Sequence, residues 1–346
     1  MESTKTKQNG TISKTISNTK NKEKIKTVSV AILIVFIISL IIAKPSVCIS
    51  SVYSGLYIWA TSILPSLFPF MFFTKFLTSL DVFGGITHKF KKVMHVLFKA
   101  PAISAYIFVL SVISGYPMGA KLISEFYDAH KISAKQANKL ATFCSTSGPL
   151  FLIGSVGTAM FLDKKIGYVI FASHVFSCIL NGIIFRNCFV DDGDCTFESP
   201  NQKSLDEILP ETMKNSILSA LVVGGYIAIS FLCIDLLNSF GILNPLSIFF
   251  ESLFGKIGID DKSANAIVCG LIEMSKGCLL ISKSTLSTKL SASFASFFVS
   301  FGGICTFFQA MTFLSKCGIN KKFYIFQKLV HGILSFATTF VILLAF

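Results

Sequence analysis

Runs of residues free of Asp, Glu, Lys and Arg recur along the 346-residue chain at lengths that suit a bilayer. A hydrocarbon core about 30 Å thick takes about 20 mostly apolar residues at about 1.5 Å of rise each. The strong runs are Thr27 to Ala43, Pro45 to Thr74, Pro101 to Ala120, Leu140 to Leu162, Ile166 to Phe185, Asn215 to Ile234, Leu290 to Ser315 and Leu329 to Phe346. Two shorter ones, Leu236 to Phe250 and Ser263 to Ile272, fall below spanning length and predict re-entrant, interfacial or broken helices. The pattern predicts an all-α integral membrane protein, a polytopic helical bundle of about 8–11 segments with two related halves and broken or re-entrant helices.

Composition agrees, with 52% hydrophobic and only 14% charged residues, against roughly 25% charged in soluble domains. The net charge of +13 does not imply nucleic acid, because the basic residues lie in short loops between apolar runs. The positive-inside rule accounts for them. Met1 to Thr27 holds seven Lys and two Glu among Ser, Thr and Asn, and predicts a disordered, cytoplasmic N-terminal tail. No small-residue cleavage pattern follows at Ala43-Lys44-Pro45, so the first run predicts a retained helix and not a signal peptide. The loops holding Lys89, Lys91, Lys92 and Lys99, and Lys316, Lys321 and Lys322, are expected in the cytoplasm, with the acidic loop from Asp191 to Glu211 facing away. The ten cysteines form no C-x-x-C pair and sit mostly within apolar runs, which predicts small buried hydrophobes, no metal site and no cofactor.

An offset of 155 aligns Gly115 with Gly270, Lys121 with Lys276, Ala137 with Ala292, Phe143 with Phe298, Ser145 with Ser300 and Gly148 with Gly303. Glycines, a serine and a lysine at the edge of apolar runs mark where broken helices form, and repeats of this kind mark secondary transporters. The expected division is a tail over 1–27, a first membrane repeat over 28–190, an acidic loop over 191–210 and a second repeat over 211–346.

Gly115, Tyr116, Pro117, Gly119 and Lys121 interrupt one apolar run. Pro117 lacks an N–H and disfavours helix at Tyr116, so amides and carbonyls are freed at membrane depth and need a partner. That partner is an anionic solute, an ion or a neighbouring helix, with Lys121 adding positive charge or snorkelling to the interface. Ser145, Thr146, Ser147 and Gly148 place hydroxyls before a Gly-Pro break, for solute binding or for helix pairing. Glu273 and Lys276 lie three apart on one helix face, where either the two simply neutralise each other or Glu273 acts as a proton or cation coupler with Lys276 as its local partner. Ser300, Gly302, Gly303 and Gln309 predict a second discontinuity. His174, with no acidic neighbour, reads as a hydrogen-bonded packing residue. No nucleotide-binding glycine loop, H-E-x-x-H helix or G-x-S-x-G turn is present, so no enzyme is expected.

Gly115 to Lys121, Thr142 to Pro149 and Ser300 to Gly303 together resemble the YlbJ family of sporulation integral membrane proteins, which contain the nucleoside-recognition or Gate domain. The resemblance covers roughly Val28 to Phe346 and places a Gate motif in the first repeat. It implies a spore-forming Firmicute, a role in endospore development, and a substrate site beside the broken helices at Gly115 to Lys121, Ser145 to Gly148, Glu273 and Gln309. The function expected is a transporter or facilitator for a small anionic metabolite, with dipicolinate as the candidate; a nucleoside transporter and a non-transporting envelope scaffold are the alternatives. Dipicolinate is a flat dianion that Lys121, Lys276 and two half-helix N-termini would neutralise. The expected partners are the lipid bilayer, this solute and a coupling ion, H+ or Na+, with no nucleic acid and with homo-oligomerisation open. The expected location is the plasma or forespore membrane.

Overall fold

A computed structural model describes residues 24–25, 27–79, 84–191, 204–257 and 259–345. The predicted basic tail, up to residue 23, and the centre of the predicted acidic loop, 192–203, lie outside the described residues. The chain divides into two compact units, Met1–Ser50 and Ser51–Phe346, and the functional argument concerns the second.

The described residues are helical and contain no strand. In chain order the helices are α1 (Thr27–Ala43), α2 (Pro45–Ser79, with a π-turn at Trp59–Ile63), α3 (Gly84–Phe98), α4 (Ile103–Ser114) and α5 (Met118–Asp128). Next come α6 (Ala134–Leu140), α7 (Leu150–Met160, wound as a π-helix), α8 (Lys164–Ile184), α9 (Leu205–Ser239) and α10 (Asn244–Phe254). The last five are α11 (Asp261–Ile272), α12 (Met274–Ser282), α13 (Thr288–Phe301), α14 (Gly303–Leu314) and α15 (Lys321–Leu344).

The order from α2 to α8 is repeated from α9 to α15. Each series opens on a 35-residue apolar helix. A short amphipathic helix follows (α3, α10), then two helices separated by a break (α4 and α5, α11 and α12), two more around a second break (α6 and α7, α13 and α14), and a long closing helix (α8, α15). The relatedness of the halves, faint in the identities at offset 155, is thus carried by the sequence of elements. Packing between the series is reciprocal, α5 lying against α14 and α12 against α7.

Five described helices are long and apolar enough to cross a membrane: Pro45–Ser79, Lys164–Ile184, Leu205–Ser239, Thr288–Cys317 and Lys321–Leu344. The others reveal where length alone misleads. The run from Pro101 to Ala120 breaks at Gly115, and α4 turns through 84° from the helix before it. The run from Leu140 to Leu162 is split by non-helical backbone at 145–148. Even within the Thr288–Cys317 span the helix is interrupted at Gly302, where φ is +87°.

Helix starts are set by local chemistry. Ser133 and Gln136 form a reciprocal capping box on α6, and the side chains of Asp163, Asp260, Ser287 and Asn320 accept amides at the starts of α8, α11, α13 and α15. In lipid, exposed Leu, Ile and Phe are not a cost, and helices associate through close packing of small residues. The contact of α2 with α9 follows this rule. Trp59 lies on Gly224, donates its indole N–H to the Ala220 carbonyl at 3.2 Å, and Gly55 meets Ala228 and Phe231. Six of the cysteines, among them Cys144, Cys178 and Cys278, are buried free thiols, as small apolar fillers are.

Candidate functional site

The two breaks of each half cross each other. In the first half, Gly115 (φ +77°) lies so close to Gly148 that a Cβ at position 115 would stand 2.6 Å from the Gly148 amide nitrogen. A Cβ at Gly119 would meet the Cys144 carbonyl oxygen at 1.6 Å. Only glycine permits both the positive φ and the contact at 115. Tyr116–Pro117 is a cis peptide. In the second half the break between α11 and α12 crosses the one between α13 and α14, and a Cβ on Gly303 would stand 2.9 Å from the Ile272 carbonyl oxygen. The residue between α11 and α12 is Glu273, in extended backbone at φ −140° and ψ 116°.

The halves meet where these crossings meet. A cavity of about 30 Å³ is walled by Gly115, Tyr116, Ser147 and Gly148 from the first half and by Glu273 and Gln309 from the second. That is room for about two water molecules, so a solute of metabolite size requires the halves to separate. Glu273 is 1% exposed. Its carboxylate caps α12, accepting the Lys276 backbone N–H at 2.7 Å. Gln309 donates to the Cys305 sulfur at 3.3 Å.

A cluster of buried polar groups ties the breaks together. His174 Nε2 accepts the Ser147 backbone N–H at 2.9 Å, so that nitrogen is unprotonated and Nδ1 carries the proton, which it donates to Ser300 Oγ at 2.7 Å. One neutral imidazole on α8 therefore joins the first-half break to the second. His331 on α15 donates from Nε2 to the His174 carbonyl at 3.2 Å, which leaves its Nδ1 as an acceptor facing Lys328 Nζ at 3.4 Å. The two rings lie 4.9 Å apart. Lys328 donates to the Tyr116 hydroxyl at 2.5 Å and the Ser145 carbonyl at 3.0 Å. Tyr116 in turn points at the carbonyls of Val299 and Ser300, each at 3.4 Å, and Ser145 Oγ pairs with the Tyr324 hydroxyl at 2.9 Å.

Of the predicted residues, Gly115, Tyr116, Pro117, Gly119, Ser145, Ser147, Gly148, Glu273, Ser300, Gly302, Gly303 and Gln309 stand at the breaks or on the cavity and cluster. Thr146 turns away to the Ser111 hydroxyl at 2.8 Å and serves helix pairing. Neither of the two lysines expected to neutralise the solute lines the cavity. Lys121 reaches Ser219 Oγ on α9 at 2.8 Å, and Lys276 pairs with Asp235, also on α9, over the Phe231 ring at 4.7 Å. Glu273 and Lys276 thus do not neutralise each other through side chains. Geometry explains this: the Glu273 carboxylate turns onto the amides that begin α12, while the longer Lys276 side chain extends to α9.

His174 is hydrogen-bonded as expected, but its bonds join the halves. Lys328, His331 and Tyr324 escaped the sequence reading because a search for charge-free runs makes every lysine a boundary, and Lys328 stands two turns inside α15. An available signal was the repeat itself. The long closing helices α8 and α15 begin 157 residues apart, and at that offset His174 aligns with His331.

The sequence reading puts the Gate motif in the first repeat, whereas comparison with known proteins finds the Gate match in the second. A family model described as nucleoside recognition, Gate, matches residues 220–319, within the second series of elements. The chain is 24% identical over 344 residues to the sporulation integral membrane protein YlbJ of Bacillus subtilis (strain 168), covering 94% of this chain and 84% of that protein. The resemblance read from the motifs therefore extends along nearly the whole chain. No solved structure matches.

Proposed function

We propose that this chain, a relative of YlbJ with a Gate segment in its second half, is a sporulation membrane protein that moves a small anionic solute by shifting one half against the other. The observation that carries the reading is the crossing of two helix breaks in each half around one shared, buried and polar seam. Backbone without helical hydrogen bonds at membrane depth is tolerated only where it is buried in protein or lines a cavity, and broken helices of this kind hold transported solutes. A non-transporting scaffold has no need of a cavity at the seam.

Dipicolinate is the candidate solute, by the resemblance to a sporulation family; uridine represents the alternative that the Gate description raises. Glu273, buried at the cavity, is the candidate coupling residue for H+ or Na+. The membrane is proposed to be the plasma or forespore membrane, with the N-terminal tail in the cytoplasm.

The test is uptake of labelled dipicolinate into proteoliposomes holding the full chain, with uridine as competitor. Dipicolinate flux above that of empty vesicles supports the reading. Uridine flux instead replaces it with the nucleoside reading, and no flux of either by monodisperse protein leaves the scaffold.

A further inference from the structure

With Lys121 and Lys276 engaged on α9, the negative group of a solute needs another counter-charge. Lys328 is 3% exposed and forms an ion pair with none of the described carboxylates. Its neighbours Tyr116, Ser145 and His331 supply only neutral acceptors. The Ser147 N–H bonded to Nε2 fixes the His174 imidazole as neutral, so Lys328, in its protonated form, is the group that carries a full positive charge in this cluster. A buried charge with no opposite charge is costly, and such groups persist chiefly where function needs them.

The surroundings of Lys328 match an anion with a flat apolar body. Tyr116 is a wall of the cavity shared by the halves. On its other side Lys328 borders a second cavity of about 80 Å³, whose walls include the rings of Phe301, Phe307 and Tyr324 and the first residues of α14 at Gly303 and Ile304. Among the described residues no side chain caps α14, whose first residues line this space and bring to it the partial positive charge of a helix start. Cation, uncapped amides and aromatic walls converge on one place, between the two cavities and against the seam.

We propose that Lys328 is the residue that receives the negatively charged group of the solute, a small carboxylate with a planar ring, and that the Tyr116 hydroxyl holds the ammonium until the solute replaces it. This rests on the transporter reading for its physiological meaning, but binding tests it without flux.

The experiment measures binding of labelled pyridine-2,6-dicarboxylate to the full chain in lipid nanodiscs, with the neutral pyridine-2,6-dicarboxamide as competitor. Wild type is expected to prefer the dianion by more than tenfold. In Lys328→Gln that preference vanishes, Lys328→Arg keeps most of it, and Lys121→Gln and Lys276→Gln retain it. Tyr116→Phe preserves ring and charge while removing an acceptor, so it tightens dianion binding a few-fold, and it serves where Lys328→Gln does not fold. The proposal is overturned if Lys328→Gln binds the dianion within twofold of wild type, if Lys121→Gln loses as much as Lys328→Gln, if Tyr116→Phe leaves affinity unchanged or weaker, or if wild type shows no preference. Lys328-dependent binding without any flux in vesicles would sink the transporter reading and leave this site standing.

Discussion

A methyl group at position 115 has nowhere to go. The Gly148 amide nitrogen is 2.6 Å from where it would sit, and φ there is +77°. Gly115→Ala is expected to lower stability by roughly 2–5 kcal/mol, combining backbone strain with overpacking. Gly225 in α9, with nothing within 4 Å of its added Cβ and no positive φ, is the contrast. Gly225→Ala is expected to gain about 0.5–1 kcal/mol. Thermal unfolding of the two purified variants checks both signs, and equal melting temperatures would refute the crossing. His174 gives a second residue-scale expectation. His174→Phe strands the buried Ser147 N–H and should cost about 1–3 kcal/mol, read in the same assay.

At the scale of elements, Glu273 has two separable roles, as cap of α12 and as charge at the cavity. Glu273→Gln keeps an acceptor for the Lys276 amide, so the cap is expected to survive within about 0.5 kcal/mol, whereas Glu273→Leu should lose about 1–2 kcal/mol. If the carboxylate couples an ion, flux by the Gln variant loses its dependence on pH or Na+ while the protein stays folded; unchanged dependence assigns Glu273 to structure alone. The elements also explain what could be read from the chain. Apolar runs and glycine-proline interruptions are local signals, and they located α2, α8, α9, α15 and the break at Gly115. The direction a long side chain takes is not local. Lys121, Lys276 and Lys328 look alike in sequence, yet the first two end on α9 and the third at the seam, because α9 happens to present Ser219 and Asp235 to two of them. Lys139 makes the same point, since it stands at the edge of an apolar run and is 1% exposed, its ammonium closing the end of α8 through the Phe185 and Arg186 carbonyls.

For the whole molecule, the repeated order of elements means that each break of one half has a counterpart in the other, and the polar seam lies where the counterparts meet. The contact of α2 with α9 joins the opening helices of the two series, mostly through residues 64–79 of α2, with Trp59 packed against α9 just before them. This chain has one tryptophan. Its ring rests on Gly224, next to Val223, and Val223 and Ile227 both wall the cavity shared by the halves. Nature has therefore placed a fluorophore at the joint, and emission from the unlabelled protein reports that joint without background. A change in colour or intensity when solute is added, absent in Trp59→Phe, would register the halves parting in real time.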